Sequence, residues 1–315
     1  MDPALKASLK KINRQKFFRK VVRQRYLFFM SVPIVAWLIL FAYVPLFGWS
    51  YAFLNFKPGI GLFKSKFVGF ANFSRLFQTP MFYTALKNTV IMAALGLVFG
   101  TVLAIVFALL LNEVRSLKYK RVVQTISYLP HFVSWVVVAG IVVNFLSLSG
   151  ILNQILIGLH ILKDPVNFMA NPNHFYAVIT TAGVWKELGW SAIIYISAMA
   201  GIDRELYEAA GVDGAGRLTK MWHITLPGIR PTIIILLIMS IGGLINGGFE
   251  SQLLLQNGMN KMTSTVLNLY ALQFGVQSAN FSYGTTIAIF ISVCSFLLVF
   301  AANSIAKKIS GEALF

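Results

Sequence analysis

Apolar runs separated by short polar segments dominate the chain, and six of them reach the roughly 20 residues that a helix needs to cross a hydrocarbon core about 30 Å thick. They extend from Tyr26 to Phe47, Tyr83 to Leu111, Tyr128 to Leu148, Phe175 to Ala200, Thr232 to Phe249 and Tyr283 to Ala306. Helices are the expected form, because an open strand in lipid leaves backbone groups unpaired. The pattern therefore predicts an all-α integral membrane protein with six transmembrane helices. Pro33 and Pro45 are expected to kink or end the first span, since an interior proline removes a backbone donor. Gly96 with Gly100, and Gly243 with Gly247, form small-xxx-small pairs in the second and fifth spans. Close helix packing is their expected meaning, with a flexible gate as the alternative. No heptad, low-complexity tract or tandem repeat is visible.

Composition supports a bilayer as solvent. Mean hydropathy is +0.73, and 12% of residues are charged against about a quarter in an ordinary soluble domain. The formal net charge of +17 raises the question of nucleic acid, but the placement of the charges argues for topology instead. Nine basic residues fall within the first 25 positions, and most of the others fall in two later loops and the tail. Counting these, the Arg115–Arg121 and Arg204–Arg230 segments and Lys307 with Lys308, nineteen basic residues lie on one side. Only Lys57, Lys64, Lys66, Arg75, Lys163 and Lys261, six in all, lie on the other. By the positive-inside rule both termini are expected to be cytoplasmic. The chain thus divides into a basic arm (1–25), a membrane domain (26–306) and a short tail (307–315). The first apolar run follows a long basic arm and shows no small-residue cleavage site, so it reads as a retained helix rather than a signal. Cys294 is the sole cysteine; it excludes an intrachain disulfide and suits a small buried apolar position.

The segment between the fourth and fifth spans is patterned as folded structure: GIDRELYEAAGVDGAGRLTKMWHITLPGIRP. Asp203 can cap a short helix with Leu206, Ala209 and Ala210 on one face. Gly211, Gly214 and Gly216 permit a reversal, because glycine tolerates positive φ. A second helix from about Arg217 is expected to end near Leu226, ahead of Pro227, and Pro231 can open the fifth span. Such an exposed helix–turn–helix suits insertion into a partner's cleft. The alternative, an amphipathic element on the membrane surface, is weakened because its four acids match its four bases, leaving little attraction to anionic lipid.

Glu208, Ala209 and Ala210 are followed after three residues by Gly214, and after nine more by Ile224, Thr225, Leu226 and Pro227. This resembles the EAA signature of binding-protein-dependent ABC importer permeases at every fixed position. VGFANFSRLF (Val68 to Phe77), ALKNTV (Ala85 to Val90), SYLPHFVSWVV (Ser127 to Val137) and VWKELGWSAIIYISAMAGID (Val184 to Asp203) resemble the carbohydrate-uptake branch related to the maltose permeases. Within it they are most similar to the oligosaccharide and polysaccharide permeases of Gram-positive bacteria. The resemblance implies a type I ABC importer permease fold in a bacterial cell membrane, in a heterodimer with a second homologous permease. It also implies two cytoplasmic ATPase subunits that bind the ATP and Mg, and an extracytoplasmic solute-binding lipoprotein that delivers a saccharide. No cofactor is expected on this chain, no catalytic or metal site, and no nucleic acid partner. Glu208, Ala209, Ala210, Asp213 and Gly214 are the ATPase-coupling positions that the resemblance carries over. Maltose-type partners can have extra spans or a large periplasmic domain, and this chain shows neither.

Polar groups at membrane depth are costly and usually face a partner or a wet cavity. Lys186 and Glu187 between Trp185 and Trp190, Asn144 in the third span, and Asn246, Glu250 and Gln252 at the end of the fifth suit a sugar path. Aromatic faces meet pyranose CH groups, and carboxylates and amides meet hydroxyls. Separate packing partners remain the alternative, since neighbours on a helix point about 100° apart, and Lys186 could equally mark an acidic saccharide. A secondary carrier would be expected to show paired interrupted helices and a channel a filter-like loop; neither is apparent. His131, His160, His174 and His223 lack metal-ligand spacing, and no phosphate loop or Ser/His/Asp arrangement is legible, which counts against a membrane enzyme.

Overall fold

The computed structural model describes residues 23–245 and 249–310. The first apolar run forms α1 (Arg25–Leu38), a π-helical turn (Ile39–Tyr43) and a tight 3-10 stretch (Val44–Phe53). Together they make one helical segment of 29 residues whose most apolar window is entirely unburied. Helix persists through Pro33 and past Pro45. The wider turn just before Pro45 takes up the register that its missing donor would otherwise break. A two-residue antiparallel ladder, β1 (Leu54–Asn55) with β2 (Lys66–Phe67), pairs Leu54 with Phe67. It leads into the short helix α2 (Ala71–Gln78).

The second span is α3, Pro80–Asn112, opened by its proline. The third expectation needs correcting in one respect: Tyr128 to Leu148 is not one continuous helix. Instead α4 (Leu117–Phe132) and α5 (Trp135–Phe145) meet at 103°. Pro130 lacks a donor, Val133 turns extended, and Ser134 accepts from the backbone of Val137, so a new helix starts in a new direction. After the short α6 (Ile151–Gly158), α7 spans Phe175–Ala200, in line with the apolar pattern. It runs parallel to α3 and packs along it: Met92 clusters with Phe175 and Ile179 toward one end, and Ala104 and Ala108 cluster with Tyr195 and Met199 toward the other.

The fifth span also differs. α11 runs from Arg230 to Gly243, with Pro231 in its first turn, and ends six residues before the expected Phe249. Its 14 residues make only about 21 Å of helix. It continues at 56° into the Arg217–Gly228 segment below it. Gly247, the second member of the expected glycine pair, lies outside the described residues. The sixth span is α15, Phe281–Ser310.

The Ser251 to Ser282 segment, a loop between the fifth and sixth apolar runs by the sequence pattern, is instead largely folded: Phe249 onward forms α12 (Phe249–Leu255), α13 (Lys261–Ser264), α14 (Leu267–Ala271) and a π turn (Leu272–Gln277). This cap is tied to the bundle by Asn88 of α3. Its Nδ2 donates to the carbonyls of Met262 (2.8 Å) and Thr265 (2.9 Å), and its Oδ1 accepts from the hydroxyl of Tyr176 (2.6 Å). The Thr89 hydroxyl accepts from the backbone of Leu267. Each bond satisfies a buried polar group that would otherwise cost about 1–3 kcal/mol.

Candidate functional site: a braced knob and a glycine-walled cavity

Asp203 caps α8 (Arg204–Val212) by accepting from the backbone of Glu205 at 3.0 Å. Asp213 ends the helix and Gly214 follows at φ +74°, the left-handed conformation for which glycine is favoured. The reversed chain is closed by the Ala215 amide donating to the Ala210 carbonyl at 2.8 Å. The return limb is α9 (Arg217–Lys220), a π turn (Met221–Thr225) and α10 (Leu226–Gly228). It therefore runs past the expected end at Leu226, because Pro227 opens α10 in its first turn, where no donor is needed. Two contacts brace the limbs: Lys220 Nζ donates to the Tyr207 carbonyl (2.9 Å), and the Tyr207 and Thr225 hydroxyls share a bond of 2.9 Å. At the base, a Cβ on Gly228 would come within 2.7 Å of Ile202.

Tyr207 and Ala210 turn inward on α8, while Leu206, Glu208, Ala209, Asp213 and Gly214 face out. Val212 is 90% exposed, and Leu218 and Trp222 are exposed beside it. A braced knob with apolar side chains, small residues and outward carboxylates at Glu208 and Asp213 is thus presented at the end of the bundle where α3 and α7 finish.

Above the knob, α3, α7 and α11 enclose a cavity of about 650 Å³. On α7 its wall is Glu187, Trp190, Ser191 and Ile194; on α3 it includes Met92, Gly96 and Gly100; Ser240 and Gly243 come from α11, and Gln252 from α12. A smaller cavity of about 260 Å³ shares Gly96, Gly100, Glu187, Ser191 and Gln252 and reaches Trp135 and Ser251. Close packing is not what Gly96, Gly100 and Gly243 do within this chain: a Cβ on any of them would meet nothing within 4 Å. They smooth the cavity wall. Close packing occurs at Gly189, where a Cβ would collide with the backbone carbonyl of Ser127 on α4.

The candidate path residues separate into distinct places. Glu187, Trp190 and Gln252 line the main cavity, and Gln252 is buried against Met92 with its Oε1 accepting from Ser251. Trp185 lies on another face of α7 and lines a separate, apolar cavity of about 630 Å³ with Phe145 and His174. Lys186 is only 6% exposed. Its ammonium donates to the carbonyls of Pro130 and His131, where α4 ends, and stands 3.6 Å from Glu187 Oε1. Asn144 is exposed in the last turn of α5 and Glu250 is exposed at the start of α12; neither lines these cavities. Asn246 lies outside the described residues. Sequence patterning does not single out His131 for this site. Its Nδ1 donates to Glu187 Oε2 at 2.7 Å, and its ring stacks on Trp190 with centroids 4.4 Å apart and planes 2° from parallel. Glu187 is 56 residues away and Trp190 further still, so no local spacing could reveal them.

Residues 96–311 match the family of binding-protein-dependent transport system inner membrane components. Protein LplB of Bacillus subtilis (strain 168) is 40% identical over 294 residues, covering 93% of this chain and 92% of that protein. The polygalacturonan/rhamnogalacturonan transport system permease protein YteP of the same organism is 39% identical over 315 residues, covering 99% and 98%. A chain from the crystal structure of a bacterial ABC transporter involved in the import of the acidic polysaccharide alginate superposes with a TM-score of 0.87 at 37% identity, over 94% of this chain and 99% of that one. A bacterial alginate ABC transporter in complex with an alginate pentasaccharide-bound periplasmic protein gives 0.86 at the same identity.

Proposed function

We propose that this chain, which belongs to the family of binding-protein-dependent transport system inner membrane components, passes an oligosaccharide along the cavity between α3, α7 and α11. It is the permease of a sugar ABC importer. The observation that carries the finer reading is the juxtaposition of a braced outward knob and a cavity whose wall descends on α7 to Tyr195, in the hydrophobic cluster above that knob. A push on α8 is transmitted through Tyr207, Lys220 and Thr225 to the helices that bound the cavity, an arrangement suited to alternating access.

The surfaces support a set of partners. The unburied first span and the open side of the cavity leave room for a second, homologous permease, which makes a heterodimer. The exposed Leu206, Val212, Leu218 and Trp222 suit a groove on a cytoplasmic ATPase, two copies of which bind the ATP and Mg, so that this chain is a non-catalytic translocation subunit. A solute-binding lipoprotein delivers the sugar from outside. The alginate importer and YteP offer acidic polysaccharides as the first class to try. On this chain, however, Lys186 is turned to backbone carbonyls and Glu187 and does not line the cavity.

The test is uptake by cells expressing the complete importer, using labelled alginate, polygalacturonan, arabinan and chitin oligosaccharides. Uptake of at least one, abolished by removing the ATPase, is expected; uptake of none would overturn the oligosaccharide reading. Orientation is tested in a Cys294→Ser background with cysteines at Val212 and Ser278. An impermeant thiol reagent should label the second from outside and not the first.

A further inference from the structure

The geometry points to His131 as a positioning residue that turns Trp190 and Glu187 into a preorganised platform for a pyranose ring, an inference that rests on the proposed sugar path. Trp190 faces an open cavity, where an unsupported indole would keep several rotamers and lose binding energy on being ordered. Here it is clamped. The imidazole of His131 covers one face at 4.4 Å and 2°, and Phe132 meets it edge-on at 5.8 Å and 83°. Trp190 lines the cavity and stays 42% exposed, so part of the indole is open to it. A flat aromatic face held in place is what the apolar face of a pyranose stacks on.

The same imidazole fixes the polar partner. A carboxylate only accepts, so the proton of the 2.7 Å bond sits on His131 Nδ1. That bond uses Glu187 Oε2, while Oε1 stands 3.6 Å from Lys186 Nζ and the residue lines the cavity. An oxygen in that position can accept from a sugar hydroxyl while the indole holds the ring. His131 is itself held by the break in the third span: with α4 ended at Phe132, the His131 carbonyl takes the buried ammonium of Lys186, which also reaches the Pro130 carbonyl beside the bond that this oxygen accepts from the Val133 amide. Break, lysine, histidine, carboxylate and indole form one connected set. Lys186, which the chain order places beside the sugar residues, serves it from behind.

The experiment measures sugar moved per ATP hydrolysed by the complete importer in proteoliposomes, with the best-transported member of the oligosaccharide panel as probe. His131→Ala should lower this ratio about tenfold, the loss expected when a charge-assisted hydrogen bond and a preordered face go together. His131→Phe keeps the flat ring without the donor, and His131→Gln keeps the donor without the ring; each should recover part of the ratio. A wild-type ratio in His131→Ala, or equal loss of assembled complex in all three variants with the ratio unchanged, would overturn the inference. Trp190→Ala and Glu187→Gln separate the two levels. If they lower the ratio and the histidine variants do not, only the role of His131 fails; if they too are silent, the sugar path itself is misplaced.

Discussion

The knob and the cavity are built on opposite plans. Every bond that braces the knob joins residues at most 18 positions apart, from Asp203 to Glu205, Lys220 to Tyr207, and Tyr207 to Thr225. It therefore folds as a local unit and can act as a stiff lever. The cavity is bounded by helices brought together from across the chain, with contacts such as Gln252 to Met92 at 160 residues' separation and His131 to Glu187 at 56. Its wall has glycines with free space beside them, whereas the junctions around it have glycines jammed against backbone. Stiffness at the proposed partner surface and free volume at the proposed path are the two properties that a coupled transporter must combine.

The sharpest break in that contrast comes from the jammed glycine that sets one wall. A Cβ at Gly189 collides with the Ser127 backbone, and backbone cannot swing aside as a side chain can. Gly189→Val should cost about 3 kcal/mol, the upper end of overpacking, and reduce recovery of a folded complex, read as loss of the monodisperse peak after membrane extraction. Next in size is the knob. Gly214→Trp forces a side chain onto a left-handed residue, a strain of about 1–3 kcal/mol, and Glu208→Lys reverses an outward carboxylate. Both should leave an inserted chain paired with its sister yet lose ATPase recruitment or cut uptake by about tenfold or more, the scale of losing one interfacial hot spot. Wild-type co-purification and uptake in both would remove Glu208 and Gly214 from the coupling surface.

A smaller effect separates the two tryptophans. Trp190→Ala should lower uptake roughly tenfold, equivalent to one aromatic contact of about 1.4 kcal/mol, while Trp185→Ala should fall short of half that loss, since its ring lies in the apolar cavity on another face. Equal losses would merge the two sites. The same pair shows how much is legible in the order of residues. The signature residues of the knob are nearly contiguous, so their spacing alone exposes the element. The cavity face of α7 is also legible as a stripe: Glu187, Trp190, Ser191 and Ile194 stand at i, i+3, i+4 and i+7, a register that excludes Trp185 and Lys186. What chain order hides is long-range pairing, as with His131, and the direction change at Val133, because apolar content continues unbroken through a 103° bend. The folded cap beyond α11 is hidden for a related reason: Asn88 bonds its backbone carbonyls from 174 and 177 residues away.

The smallest expected effect bears most directly on what the cavity glycines do. In a close-packed small-xxx-small contact, a methyl group at Gly96 would push a neighbouring helix away and weaken assembly. In this chain that methyl would meet nothing within 4 Å, and Gly96 lies well inside α3. Replacing an interior helical glycine with alanine recovers up to about 1 kcal/mol of backbone entropy. Gly96→Ala should therefore leave the complex as stable as wild type or raise its melting temperature by a few degrees, at most about 4 °C. Uptake should fall less than about twofold, because one methyl takes only a small part of a 650 Å³ space. A clear drop in melting temperature together with dissociation of the sister permease would show that Gly96 packs against that partner. The glycine wall would then belong to the interface and not to the path.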